Sequence, residues 1–236
     1  KLSGMAVCYN SGGRLRYVHT PFTNVSHCWR GELEVKAINN FVGVPDNRIG
    51  SKLHVVQRFN PKVFANPSGY YSNYVLDKIR SHYWSTEKPT PSDSEIAVHI
   101  RRGDVQIERG GDRRARHVKN DWYNHILPKI AQKYPSHYRM AIYSEGEFQE
   151  FSSIIEGWPK DLIERTAFRL ANPNISFQEF DMITTYHHFV TAKVFIMSKS
   201  GLSYTAGIFN EGDVYFVGSQ ARGQKFPLRH WINDWQ

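Results

Sequence analysis

Between residues 94 and 218, short β-branched apolar runs alternate with stretches of helical period, and this alternation constrains the fold more than any other feature. The run Glu95-Ile96-Ala97-Val98-His99-Ile100 is nearly continuous in apolar residues, as a strand buried on both faces of a parallel sheet must be. A basic, glycine-containing loop follows it. Residues 121–131 then place apolar side chains at helical spacing. Residues 138–143 read as the next strand, 147–155 as a helix and 175–180 as another strand. Asp181 opens a helical stretch that runs to Ala192, an acid set where the helix dipole favours it. Residues 194–197 form a strand, 203–209 a helix and 214–217 a last strand. Strands separated by helices of roughly ten residues imply βαβ units, hence an α/β fold with a parallel, Rossmann-like sheet.

Residues 1–85 are less regular. Met5-Ala6-Val7-Cys8-Tyr9 reads as a strand running into the turn Asn10-Ser11-Gly12-Gly13-Arg14. A second strand is expected at 52–57 and an amphipathic helix at 70–83. Ser85-Thr86-Glu87-Lys88-Pro89-Thr90-Pro91-Ser92 has no apolar period and marks a linker. The expected division is therefore a first domain over 1–90 and a second over 91–236, with the aromatic stretch 226–236 packing back on the first.

The formal net charge of +8 suits an anionic partner: nucleic acid, an acidic membrane surface or the phosphates of a small ligand. The densest basic run, 109–119, contains two glycines and reads as a loop, either solvated or a binding surface. No apolar run is long enough to span a membrane, and the start lacks the apolar core of a secretory signal. The expected location is cytoplasmic, with a Golgi-lumenal catalytic domain trimmed of its anchor as the alternative. Cys8 and Cys28 fit a disulfide or free thiols equally well. His187 and His188 are adjacent on a helix and point in different directions, so they do not suggest a metal site. Asn24 and Asn174 begin glycosylation sequons that matter only in a secreted chain.

In open parallel sheets, ligands bind beyond the carboxyl ends of the strands. Two loops qualify. The first contains Arg101, Arg102 and Asp104, whose guanidiniums match phosphate oxygens and whose acid can hold one of them. The second, Ser198-Lys199-Ser200-Gly201-Leu202-Ser203-Tyr204, brings hydroxyls and backbone N–H groups to a helix start, which favours an anion. Together they describe a diphosphate held between arginines and a helix N-terminus.

His99-Ile100-Arg101-Arg102-Gly103-Asp104 at a strand end resembles the H-x-R-R-x-D motif of the fucosyltransferase superfamily. The stretch from Met197 to Ala206 resembles that family's second donor motif, and Asp121-Trp122-Tyr123 sits where its α1,2 branch places an aromatic pair. The resemblance covers residues 94–218. It implies a GT-B-like enzyme with two Rossmann-like halves, the donor site in the C-terminal half and a reduced N-terminal acceptor half. It also implies inversion and no required metal or other cofactor, in keeping with the lack of an Asp-x-Asp motif. By the same resemblance Arg101 and Arg102 bind the donor diphosphate and stabilise the departing nucleotide. His99 lies near base or phosphates, and Asp104 orients the arginines. Ser198, Ser200, Ser203 and Tyr204 complete the donor site, and Asp181 reads a base or ribose edge.

Inversion requires a general base, for which Glu108 falls near the α1,6 branch's position and Asp112 is the rival. The family's N-terminal glycine motif is present only as Ser11-Gly12-Gly13-Arg14, where Gly13 and Arg14 could reach the donor. The expected activity is transfer of a sugar, fucose from GDP-fucose first, to a hydroxyl of an oligosaccharide or glycoprotein. A UDP-sugar such as UDP-xylose is the alternative donor. The rival of another class is a non-catalytic glycan- or RNA-binding protein, although no RNA-binding signature is present and nucleic acid is not the expected partner.

Overall fold

The computed structural model describes residues 5–6, 9–10, 41, 66–102, 105, 117–171, 182–216 and 231–232. The chain divides into two compact units, Lys1–Pro89 with Ser219–Arg229 and Thr90–Gly218 with His230–Gln236.

In the first unit, α1 (Pro67–Tyr70) starts from Asn66, whose side chain accepts the Gly69 N–H at 3.2 Å. Pro67 takes the first helical position, where its missing N–H would have had no partner. Next, α2 (Asn73–Trp84) buries Val75, Leu76, Ile79 and Tyr83, one apolar stripe at helical spacing. Phe41 meets Tyr83 edge-on at 5.4 Å, and the Tyr9 hydroxyl lies 2.5 Å from His82 Nε2. Met5, Ala6 and Tyr9 are helical where the sequence predicts a strand, and Asn10 is helical where it predicts a turn. A short apolar run without alternation reads alike in either state. The strand expected at 52–57 lies outside the described residues.

Among the described residues the second unit holds six strands: β1 (Ile96–His99), β2 (Met140–Glu145), β3 (Thr166–Ala171), β4 (Val194–Ile196), β5 (Asp213–Tyr215) and β6 (Trp231–Ile232). All are paired in parallel in the order β3-β2-β1-β4-β5-β6, that of doubly wound dinucleotide-binding sheets. Four further helices are α3 (Asn120–Ala131), α4 (Lys160–Glu164), α5 (Met182–Thr191) and α6 (Gly201–Phe209). Strand pleating sends Ile96, Val98, Met140, Ile142, Val194 and Ile196 to one face, where Tyr123, Ile126, Leu127 and Ile130 of α3 cover them. On the other face Phe189 of α5 stacks on Phe195 at 4.9 Å and meets Tyr143 at 5.1 Å. Both faces are covered, which is why the strands read as unbroken apolar runs.

Local chemistry accounts for two joints of this unit. Pro128 lies inside α3 and has no N–H to give the Asn124 carbonyl. The Trp158 indole N–H donates to that carbonyl at 3.0 Å, filling the gap. Asn210 is fully buried, and its amide donates to the carbonyls of Phe189 and Ala192 at 2.7 and 2.9 Å. It thereby ties the end of α6 to the end of α5.

The helix expected at 147–155 is instead two 3₁₀ turns, Phe148–Glu150 and Ser152–Ile154. Phe148, Phe151 and Ile154 recur every third residue, a spacing that suits a 3₁₀ turn as well as an α-helix. Neither β3 nor α4 was anticipated, since β3 is an edge strand of partly buried residues with no continuous apolar run. The strand expected at 175–180 lies outside the described residues. Trp231–Ile232, in the stretch expected to pack on the first domain, pairs with β5 and extends this sheet.

Candidate functional site

The chain moves outward from β1 to β2 and β3, then returns to lay β4 on the other side of β1. In open α/β sheets such a reversal of strand order marks the place, beyond the carboxyl ends of the two strands, where a ligand crevice forms. His99 ends β1 there, and Ser198 and Ser203 come from the segment after β4 and the first turn of α6. His99 Nδ1 lies 2.5 Å from Ser203 Oγ and 3.0 Å from Ser198 Oγ. Ser203 Oγ also accepts the Ser198 N–H at 3.1 Å, and both serines are buried. Beneath the imidazole, Phe189 stacks at 5.1 Å. Burial first, and the Arg101 charge second, pull the His99 pKa down to about 3, so its ring is neutral. No partner for its Nε2 is present among the described residues.

Arg101 and Arg102 follow β1 and reach different partners. Arg101 reaches toward the β4 segment, with Nη1 3.5 Å from the Lys199 carbonyl oxygen. Arg102 turns to the α3 side. Its Nη2 donates to Asn120 Oδ1 at 2.6 Å, its Nη1 donates to the Arg101 carbonyl at 3.0 Å, and its guanidinium carbon lies 5.7 Å from the centre of the Phe151 ring. Burial lowers the Arg102 pKa, while Tyr123 and Glu150 act in the opposite sense. The motif thus supplies two cations on two sides of one strand end, where the sequence suggested a single paired clamp.

Ser200 caps α6, its Oγ accepting the Leu202 N–H at 3.2 Å. Tyr204 lies in the first turn of that helix, partly buried. Gly13, Arg14, Asp104, Glu108, Asp112 and Asp181 lie outside the described residues. Asn120, Phe151 and His117 are also neighbours of Arg102, and no motif marks them in the sequence. His117 is partly buried, and its pKa is lowered by burial and by the charges of Arg102 and Lys119. The only signal in the sequence was a polar residue opening an amphipathic helix at Asn120.

The arrangement joins a neutral imidazole, buried hydroxyls, two cations and a capped helix start around one crevice, a set of groups suited to an anion with oxygen edges. Among the described residues no group of three or more His, Cys, Asp or Glu side chains is placed to hold a metal ion, and no helix is long and apolar enough to cross a membrane. No protein-family model, curated protein or solved structure matches the chain.

Proposed function

We propose that this chain is a glycosyltransferase that binds a nucleotide-sugar through its diphosphate and transfers the sugar to a glycan hydroxyl with inversion. The observation that carries the reading is the meeting of His99 with Ser198 and Ser203 across the crevice between β1 and β4, with Arg101 and Arg102 at its edge. A diphosphate seated there would receive N–H and O–H donors from both strands, and charge developing on the departing nucleotide would face fixed cations. The H-x-R-R-x-D resemblance makes the reading fucosyltransferase-like with a GT-B arrangement, and GDP-fucose the first donor to test ahead of a UDP-sugar. No metal enters the proposed step. Glu108 and Asp112 remain the proposed general bases.

A melting panel with GDP, UDP and their sugars tests the assignment, because a ligand bound only by the native state raises the melting temperature. At about one hundred times Kd the expected stabilisation is about 2.7 kcal/mol. Arg102→Ala should abolish most of that shift. If no nucleotide moves the wild-type melt, the assignment is wrong.

A further inference from the structure

We infer that Asn120 is the positioning residue of Arg102, holding its guanidinium in the one orientation in which the remaining N–H donors face a diphosphate; this rests on the diphosphate reading above. Asn120 works with both ends of its amide. Its Oδ1 accepts from Arg102 Nη2 at 2.6 Å, and its Nδ2 donates to the Glu150 carbonyl at 2.5 Å and to Ser153 Oγ at 3.1 Å. An amide whose donor edge is taken by the backbone cannot turn, so its oxygen is committed to the arginine.

The frame on the far side is rigid for a local reason. Gly146 has φ +126, and a Cβ added there would lie 2.7 Å from Glu150 Oε1. The freed space lets the Glu150 carboxylate accept the Glu147 N–H at 3.0 Å and close a capping box over the 3₁₀ turn. Glu150 O is therefore a fixed point, and Asn120 transmits that fixity from the turn after β2 to the cation after β1. Phe151, next in the chain, lies under the guanidinium face. An arginine free to sample rotamers would lose orientation with every turnover; one fixed on three sides presents its donors without reorganisation.

Titration calorimetry on the full chain with GDP, and separately with inorganic pyrophosphate, tests the role. Asn120→Ala should weaken both by roughly tenfold, the worth of one charge-assisted hydrogen bond. Arg102→Ala should weaken them more, and the double variant should match Arg102→Ala alone, since a residue acting through Arg102 has nothing left to position. Asn120→Asp separates this from a purely structural role. The acid keeps an acceptor for Arg102 but sets a carboxylate oxygen against the Glu150 carbonyl where Nδ2 donates, so the anchored orientation is lost and affinity should fall although the charge still pairs with the guanidinium. Losses that add in the double variant, or a fully active Asn120→Asp, overturn the inference. A ligand-free arm keeps it apart from the functional reading: in nitrogen-15 spectra of arginine side chains, the held Arg102 Nη groups should give resolved signals that collapse in Asn120→Ala. Unchanged signals overturn the positioning role whatever the ligand. Failure of the wild-type chain to bind GDP, UDP or pyrophosphate overturns the proposed function, and the Arg102 signals still decide whether Asn120 holds it.

Discussion

A histidine that refuses a proton acts as a fixed dipole, and His99 is held in that state first by burial and then by the Arg101 charge, with Phe189 stacked on its ring. The folded pKa of about 3 lies below the ordinary value of 6.5. The unfolded chain therefore takes up a proton that the native chain does not. Its contribution to stability is complete above pH 6.5 and is lost as the pH falls toward 3, with a limiting slope of about 1.4 kcal/mol per pH unit. His82, His117 and His188 are shifted the same way, so the wild-type decline on acidification is shared. His99→Asn keeps a polar atom near Ser203 but has no proton to refuse. It should melt lower than wild type at pH 8 and lose less on going to pH 5. Parallel declines of the two melting temperatures would show that His99 does not carry this term. At this scale the sequence was readable where position alone sets the role. His99 and Arg101 stand at the end of β1 and Ser198 just beyond β4, and a strand end is visible in an apolar run; Ser203 follows in the first turn of α6. Asn120 was not readable, because its role comes from Arg102 and Glu150, residues that only folding brings to it.

Elements were legible in proportion to how fully they are buried. The strands β1, β2, β4 and β5 lie inside the sheet and announce themselves by continuous apolar residues. The edge strand β3 is only partly buried along its length, with Arg169 exposed, and gives no such signal. Phe148, Phe151 and Ile154 repeat every third residue and resemble a helix until Gly146 and the Glu147–Glu150 box fix a 3₁₀ path. Helix α3 was legible even with Pro128 inside it, and the reason it survives there is tertiary. The Asn124 carbonyl left without its helical donor is served by Trp158. Trp158→Phe keeps most of the buried ring and removes only that donor, so it should destabilise by about 1–3 kcal/mol in denaturant melts. In a Pro128→Ala background the helix regains its own N–H, and the same substitution should be nearly neutral. Equal losses in the two backgrounds would mean that the indole bond does not compensate for the proline.

Across the whole molecule, the described site residues from His99 to Ser203 all belong to the unit Thr90–Gly218 with His230–Gln236. A ligand that binds them stabilises that unit directly, by an amount set by its concentration relative to Kd. Asn210 provides a mark for the same unit. It is fully buried and bonded to the carbonyls of Phe189 and Ala192, and its Oδ1 accepts the Gly212 N–H at 2.6 Å. Asn210→Ala leaves those carbonyls short of a donor, a loss of about 2–4 kcal/mol confined to this unit. In the first unit Val75, Ile79 and Tyr83 are buried, Tyr83 edge-on to Phe41, and in the second the layers around β1 and β4 form the core. Scanning calorimetry should therefore resolve two transitions. Asn210→Ala should lower one of them, and GDP should raise that same one while leaving the other within a degree or so of its position, since only linked binding moves a transition. A nucleotide that raised the transition insensitive to Asn210→Ala would place its main contacts in the first unit. The crevice between β1 and β4 would then not be the donor site, whatever its donors and charges suggest.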